Sequence, residues 1–392
     1  MAATSSLFQP ISIGTQKLSH RVAQAPCTRF RAAKSGNAYS PTDIMVEYYG
    51  QRASEGGLQI TEATSISSTA AGYTNCPGMF NDDQIASWKK VTDAVHAKGG
   101  LISCQLWHTG RANIAPLING IQPLSSTSTP LKGPSPIEGY DFSKAPPREM
   151  TKKDMEDVIA DFASASKNAI EKAGFDFVEI HGANGYLLDQ FFHDNVNTRD
   201  DEYGGKSMEN RARFPFELIE AVVKAIGSTK TGIRLSPYNY FQDTRDSDPN
   251  AMWSYICQKI VDLPEPIAYV HMIEPRFDEN LSAEDKIKSL GKETKSSELS
   301  LDVFRKILNK KNILFIAAGG FDAKTADEKI SSGGADVIAF GRIFIANPDL
   351  TKRLKEELPL NKHDRSTFYG ASPPSKGYID YPVFEESGLS TA

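Results

Sequence analysis

Several things are scarce or missing in this sequence, and each absence excludes something. Its four cysteines, Cys27, Cys76, Cys104 and Cys257, stand far apart with no C-x-x-C pair. That spacing excludes a disulfide framework and a cysteine zinc site, and it points to a reducing compartment; no metal is expected. No apolar run approaches the roughly 20 residues of a membrane span. Residues 1–6 are polar and uncharged, without the basic start and apolar core of a signal peptide. Residues 389–392 carry no lipidation or peroxisomal signal. A cytoplasmic location is the expectation. The formal net charge is only −5 over 392 residues, which gives no electrostatic reason for a nucleic-acid or anionic-membrane partner. No G-x-G-x-x-G occurs, so a dinucleotide-binding Rossmann sheet is not expected. No linker and no low-complexity segment divides the chain. One domain over 1–392, with a core of about 7–382, is expected.

What is present is a regular alternation. Short apolar runs at 21–25, 58–63, 101–106, 175–180, 231–235, 267–272, 313–317 and 337–340 each have the length of a buried parallel strand. Between them lie amphipathic stretches such as 84–98, 155–173 and 212–226. Thr151 followed by Asp154 reads as a capping box opening the second of these. Eight β/α repeats predict an α/β fold, a closed (β/α)8 TIM barrel. Three pieces lie outside the repeat. Residues 7–14 are expected to form a hairpin closing the barrel bottom. The Pro/Gly/Ser-rich residues 108–150 are too long for an ordinary connection and predict a capping excursion over the mouth. The polar residues 274–300 predict a lid after the sixth strand.

The working residues of such a barrel lie on the loops after its strands. After the fourth strand comes Glu179-Ile180-His181-Gly182-Ala183-Asn184-Gly185-Tyr186. His181 and Asn184 each offer an N–H donor, and Tyr186 offers a phenol that can give up a proton. Two donors converging on one oxygen, with an acid nearby, suit a reaction that builds charge on a carbonyl and then protonates carbon. The glycine loops Gly319-Gly320 and Gly341-Arg342, after the seventh and eighth strands, read as a phosphate site. Bare backbone N–H groups approach oxygens closely there, and Arg342 adds a charged fork.

On these residues the chain resembles the Old Yellow Enzyme family of FMN-dependent ene-reductases. The likeness runs from about Leu7 to Pro382. Its markers are Ala25-Pro26-Cys27-Thr28-Arg29, Gln105-Leu106-Trp107, His181-Gly182-Ala183-Asn184-Gly185-Tyr186, Asn197-Thr198-Arg199, Tyr203-Gly204-Gly205, Glu209-Asn210-Arg211, Arg234-Leu235-Ser236-Pro237-Tyr238 and Gly341-Arg342. Each marker is weak alone, and their order and spacing are specific. Gly377-Tyr378-Ile379-Asp380-Tyr381-Pro382 also resembles the family's C-terminal segment. The Thr form at Thr28 and the His/Asn form of the donor pair are similar to the branch with the yeast enzymes and the plant oxophytodienoate reductases.

The resemblance implies noncovalent FMN, NADPH as hydride donor and a small-molecule enone substrate, in a monomer or homodimer. It implies that Thr28, beside Pro26, bonds the flavin near its C4 carbonyl. Ala63 and Gln105 would contact the isoalloxazine edge, and Arg234 its pyrimidine side. Gly319, Gly320, Gly341 and Arg342 would hold the phosphate. His181 and Asn184 would grip the substrate carbonyl, and Tyr186 would protonate its α-carbon. Tyr73, Trp107, Phe241, Phe368 and Tyr369 would line the pocket.

Other readings compete. His108, His193 and His271 read as structural, as do Arg199, Asn210 and Arg211. Glu62, Glu179 and Glu274 all lie at strand ends, and a pair of carboxylates in a barrel mouth is the equipment of a glycosidase. That reading leaves Gly341-Arg342, Gln105 and the His181/Asn184 pair without a purpose. A non-catalytic flavin sensor on the same fold is the third class, and it has no need of the acid Tyr186.

Overall fold

The computed structural model describes residues 5–135, 139–277, 284–286 and 299–385. Eight strands form its centre: β1 (Val22–Gln24), β2 (Leu58–Ile60), β3 (Leu101–Trp107), β4 (Phe177–Gly182), β5 (Thr231–Leu235), β6 (Tyr269–Ile273), β7 (Leu314–Ala318) and β8 (Val337–Phe340). Each pairs in parallel with the next, and β8 pairs with β1, so the sheet closes into the expected (β/α)8 barrel. Helices α1 (Asp43–Arg52), α2 (Asp82–His96), α3 (Lys152–Lys167), α4 (Met208–Ile226), α5 (Pro249–Val261), α6 (Asp302–Leu308) and α7 (Ala323–Ser331) follow the first seven strands.

The strands are buried on both faces, and alternate residues go to two different cores. Ile102, Cys104 and Leu106, Val178 and Ile180, and Phe315 and Ala317 pack outward with helix residues such as Trp88 and Phe162. Leu58 and Ile60, Phe177, Tyr269, Leu314 and Ile316 pack into the barrel interior. Local chemistry sets several helix starts. Thr151 and Asp154 form the expected capping box on α3, and Asn81 with Gln84 does the same for α2.

The N-terminal hairpin is real but lies later than 7–14. Ser6–Phe8 is a single helical turn, and the paired strands are Ile11–Ile13 and Gln16–Leu18. Its turn needs Gly14, which sits at φ +53° with Thr229 O 2.1 Å from where a Cβ would be. Ile13 and Leu18 have no exposed surface and plug the interior beneath Phe177 and Tyr269. The second strand ends at Ile60 rather than at 63, and Thr64–Ser65 then pairs separately with the end of β3.

Residues 108–150 do make an excursion. Leu124–Ser125 pairs with Arg148–Glu149, and Ile114, Leu131 and Phe142 form a small core that touches Tyr186. Most of the expected lid at 274–300 lies outside the described residues. Arg199 and Arg211 are buried struts. Arg199 donates to Ser126 O and Met150 O, and Arg211 to Phe192 O and Gly205 O. Asn210 donates to Asp201 O. Among the described residues no helix is long and apolar enough to cross a membrane.

Candidate active site

A cavity of about 870 Å³ opens at the C-terminal end of the strands. Every site residue expected from the sequence lines it: Pro26, Thr28, Ala63, Tyr73, Gln105, Trp107, His181, Asn184, Tyr186, Arg234, Phe241, Gly319, Gly320, Gly341, Arg342, Phe368 and Tyr369. The chain brings them together from all round the ring. Phe30, Cys27, His363 and Arg365 line it as well and carried no expectation. The last two lie in a C-terminal segment that buried arginines hold in place: Arg29 donates to Phe368 O and Gly377 O, and Arg31 to Thr367 O.

At one end of the cavity stand three polar groups from the end of β4 and the loop that follows it. The backbone N–H of Ala183 donates to His181 Nδ1 at 3.3 Å. That nitrogen is therefore the acceptor, and the ring proton sits on Nε2. Burial, with Arg234 and His271 nearby, holds the His181 pKa well below the usual histidine value, so the donor is a neutral imidazole. Asn184 takes a left-handed turn at φ +59°, a conformation asparagine tolerates. Its Oδ1 accepts from Asn239 Nδ2 at 2.8 Å. Asn239 is oriented in turn, because its Oδ1 accepts the Phe241 backbone N–H. This leaves the NH2 end of Asn184 for the cavity. Asn239 was not singled out from the sequence, although it directly follows the marker that ends at Tyr238.

Tyr186 is packed edge-on against Trp107 at 4.7 Å and His181 at 5.1 Å between ring centres. Burial and the neighbouring Tyr73 raise its pKa well above the usual phenol value, so it keeps its proton. Tyr73 stacks against Trp107 at 5.9 Å between ring centres and is itself pushed up to about 12, mainly by burial.

The opposite end is built differently. Gly319 and Gly320 have φ of +126° and +69°, and Gly341 leads into Arg342 at the start of a short helix, Arg342–Ala346. Arg342 lies over the Phe277 ring, and Arg365 and His363 line the same end. A phosphate dianion fits this cationic, glycine-lined end. The neutral amide and imidazole donors suit carbonyl oxygens, and the volume between suits a flat ring system.

The rival carboxylates do not meet here. No Asp or Glu is among the described residues lining the cavity. Glu179 is bonded to Gln105 and His271, and Glu274 to Lys329. Glu62 is fully buried beside Tyr49. His271 and His193 are structural, each bonded to a buried carboxylate, and His108 Nδ1 accepts a backbone N–H from Gly110.

The family model described as NADH:flavin oxidoreductase / NADH oxidase matches residues 6–361. The chain is 56% identical over 379 residues to a flavin oxidoreductase of Emericella nidulans, covering 96% of this chain and 97% of the relative. It is 45% identical to 12-oxophytodienoate reductase 1 of Oryza sativa subsp. japonica, covering 98% and 95%. Among solved structures it is similar to morphinone reductase in complex with tetrahydroNAD, with TM-score 0.84, 37% identity and coverage of 98% of this chain and 99% of that one. It is similar also to the Old Yellow Enzyme homologue from Zymomonas mobilis, with TM-score 0.85, 38% identity and coverage of 97% and 100%. The chain belongs to the NADH:flavin oxidoreductase / NADH oxidase family and is an FMN flavoprotein, an oxidoreductase of the Old Yellow Enzyme type.

Proposed function

We propose that the protein is an NADPH-dependent ene-reductase that saturates the activated C=C bond of α,β-unsaturated carbonyl compounds. The observation that carries this reading is the meeting of His181, with its Nδ1 already bonded, an oriented Asn184 amide and the Tyr186 phenol in one cavity. Bound noncovalently, FMN supplies the hydride chemistry. Gly319, Gly320, Gly341 and Arg342 would hold its phosphate, Thr28 with Pro26, Ala63 and Gln105 would meet its ring edge, and Arg234 would meet the pyrimidine side.

The protein's own contribution is polarisation and proton supply. His181 Nε2–H and the Asn184 amide hold the substrate carbonyl oxygen. As hydride reaches the β-carbon, charge builds on that oxygen, and the two donors stabilise it by roughly 3 kcal/mol each, as oxyanion donors do elsewhere. Neutral donors are suited to this work, since they strengthen as charge develops and need no proton transfer of their own. Tyr186 then gives its proton to the α-carbon, on the face away from the hydride, so the two hydrogens add trans. Tyr73, Trp107, Phe241, Phe368 and Tyr369 shape the space around the enone. NADPH and the enone use that space in turn, which makes the kinetics ping-pong and removes the need for a separate dinucleotide fold. The protein works as a single-domain enzyme of the cytoplasm, as a monomer or homodimer.

Purified protein is expected to be yellow, with one FMN per chain released on denaturation. It is expected to oxidise NADPH in the presence of cyclohexenone, with parallel double-reciprocal plots. Colourless folded protein that takes up no FMN overturns the reading. Yellow protein that turns over no enone, maleimide or quinone leaves the sensor reading in its place.

A further inference from the structure

Behind the cavity lies a buried polar chain that the proposed reaction does not use. Glu179 stands directly opposite Gln105 in the parallel register of β3 and β4. Gln105 Nε2 donates to Glu179 Oε1 at 2.7 Å, and His271 Nδ1 lies 3.0 Å from Glu179 Oε2. Glu179 and His271 have no exposed surface, and Gln105 alone of the three lines the cavity. Burial by itself would raise the Glu179 carboxyl. His271, Arg234 and the Gln105 bond outweigh burial and hold it below the usual carboxylate range.

An ionised carboxylate only accepts hydrogen bonds. The end of the Gln105 side chain that meets it must therefore be the NH2, and the carbonyl oxygen is the end left for the cavity. A glutamine without such a partner has two nearly isoenergetic orientations of opposite meaning, one presenting an acceptor and one a donor. The pyrimidine half of an isoalloxazine carries an imide N–H between two carbonyls, so the two orientations are not equivalent towards it. The carboxylate also sits beside Arg234, which lines the same part of the cavity, and it balances that charge.

We propose that Glu179 is a positioning residue for the flavin: anchored by His271, it orients the Gln105 amide so that its carbonyl oxygen faces the imide N–H of the bound ring. This rests on the reading that FMN occupies the cavity with its ring edge at Gln105.

The test is a binding cycle on apoprotein, using FMN and N3-methyl-FMN, which lacks the imide proton. Glu179→Gln is nearly isosteric but offers Gln105 a donor as readily as an acceptor. It is expected to weaken FMN by about tenfold, the scale of one lost hydrogen bond between neutral groups. It is expected to leave N3-methyl-FMN binding within about twofold of wild type. The midpoint potential of bound FMN is expected to rise, because a negative charge behind the ring is gone. In Glu179→Gln/Gln105→Ala the two losses are expected not to add, since Glu179 acts through Gln105. If Glu179→Gln does not fold, His271→Asn, which removes one anchor of the carboxylate, is taken through the same binding cycle, with weaker FMN and nearly unchanged N3-methyl-FMN binding as the expected outcome. Equal FMN affinity and potential in variant and wild type overturn the inference, and so does a loss equal for both flavins. Wild-type apoprotein that binds no FMN overturns instead the reading on which the inference rests.

Discussion

The two ends of this barrel are made by the same eight strands and could hardly differ more. At the bottom the inward side chains are Leu58, Ile60, Phe177, Tyr269, Leu314 and Ile316, capped by Ile13 and Leu18 from the hairpin. At the top, Gln105, His181 and Arg234 line a cavity on one arc, while Ala25, Ala318 and Ala339 line it on the other. The bottom is held by apolar packing, which is non-directional. The top is held by directed bonds, one to each polar group that matters: Ala183 to His181, Asn239 to Asn184, Glu179 to Gln105. Stability and chemistry are thus separated along the barrel axis, as this fold allows.

The separation predicts which readout each substitution moves. The largest effect is expected from Tyr186→Phe, which keeps the ring and removes the proton. Reoxidation of the flavin by cyclohexenone is expected to fall by about 10² to 10⁴, the usual worth of a positioned acid. Reduction by NADPH and reoxidation by a quinone, which need no proton on carbon, should stay near wild type in stopped-flow traces. Unchanged enone reoxidation would assign the proton to water or to another tyrosine of the cavity such as Tyr369.

Next come the donors. Removing either His181 or Asn184 by alanine is expected to slow enone reduction by about 10². It should also weaken the long-wavelength charge-transfer band given by bound phenolates, with less effect on reduction by NADPH. Phenol affinity unchanged in the double variant would mean that the oxyanion site lies elsewhere.

The bottom should respond in the opposite sense. Ile13→Ala empties a fully buried site in the plug and is expected to cost about 2–5 kcal/mol of stability. Thermal denaturation is expected to show the loss, while flavin content and the enone rate of the folded protein stay the same. A rate change beyond about twofold would show that the two ends are coupled.

The smallest expected effect is that of pH. Burial lowers the His181 pKa and raises that of Tyr186, so across about pH 6 to 9 the first stays neutral and the second protonated. The rate of enone reoxidation should be nearly flat over that range. A one-proton step near pH 6.5 would show that His181 works as a cation.

Much of the barrel was legible because burial on both faces writes itself as short apolar runs, and all eight were strands to within a few residues. The hairpin was misplaced by several residues because its identity rests on a turn at Gly14 that is set against Thr229, a contact the local sequence does not show. Residues 33–40 form a further small hairpin, Ala33–Ser35 with Ala38–Ser40, whose alternation is too short to stand out. In the cavity the residue types were legible and their partners were not. Asn239 stands out only by what it touches, and Glu179, already visible at a strand end, shows its bonds to Gln105 and His271 only in the fold.

The sequence by itself determined the order of strands and helices and the chemical tools at the strand ends, because periodicity and residue type are local properties. Only the tertiary structure decided which end of each tool faces the cavity. Gln105 meets Glu179 across 74 positions, and Glu179 meets His271 across 92. Closure of the barrel makes these neighbours, and an amide or an imidazole acquires a direction only when one side of it is already bonded.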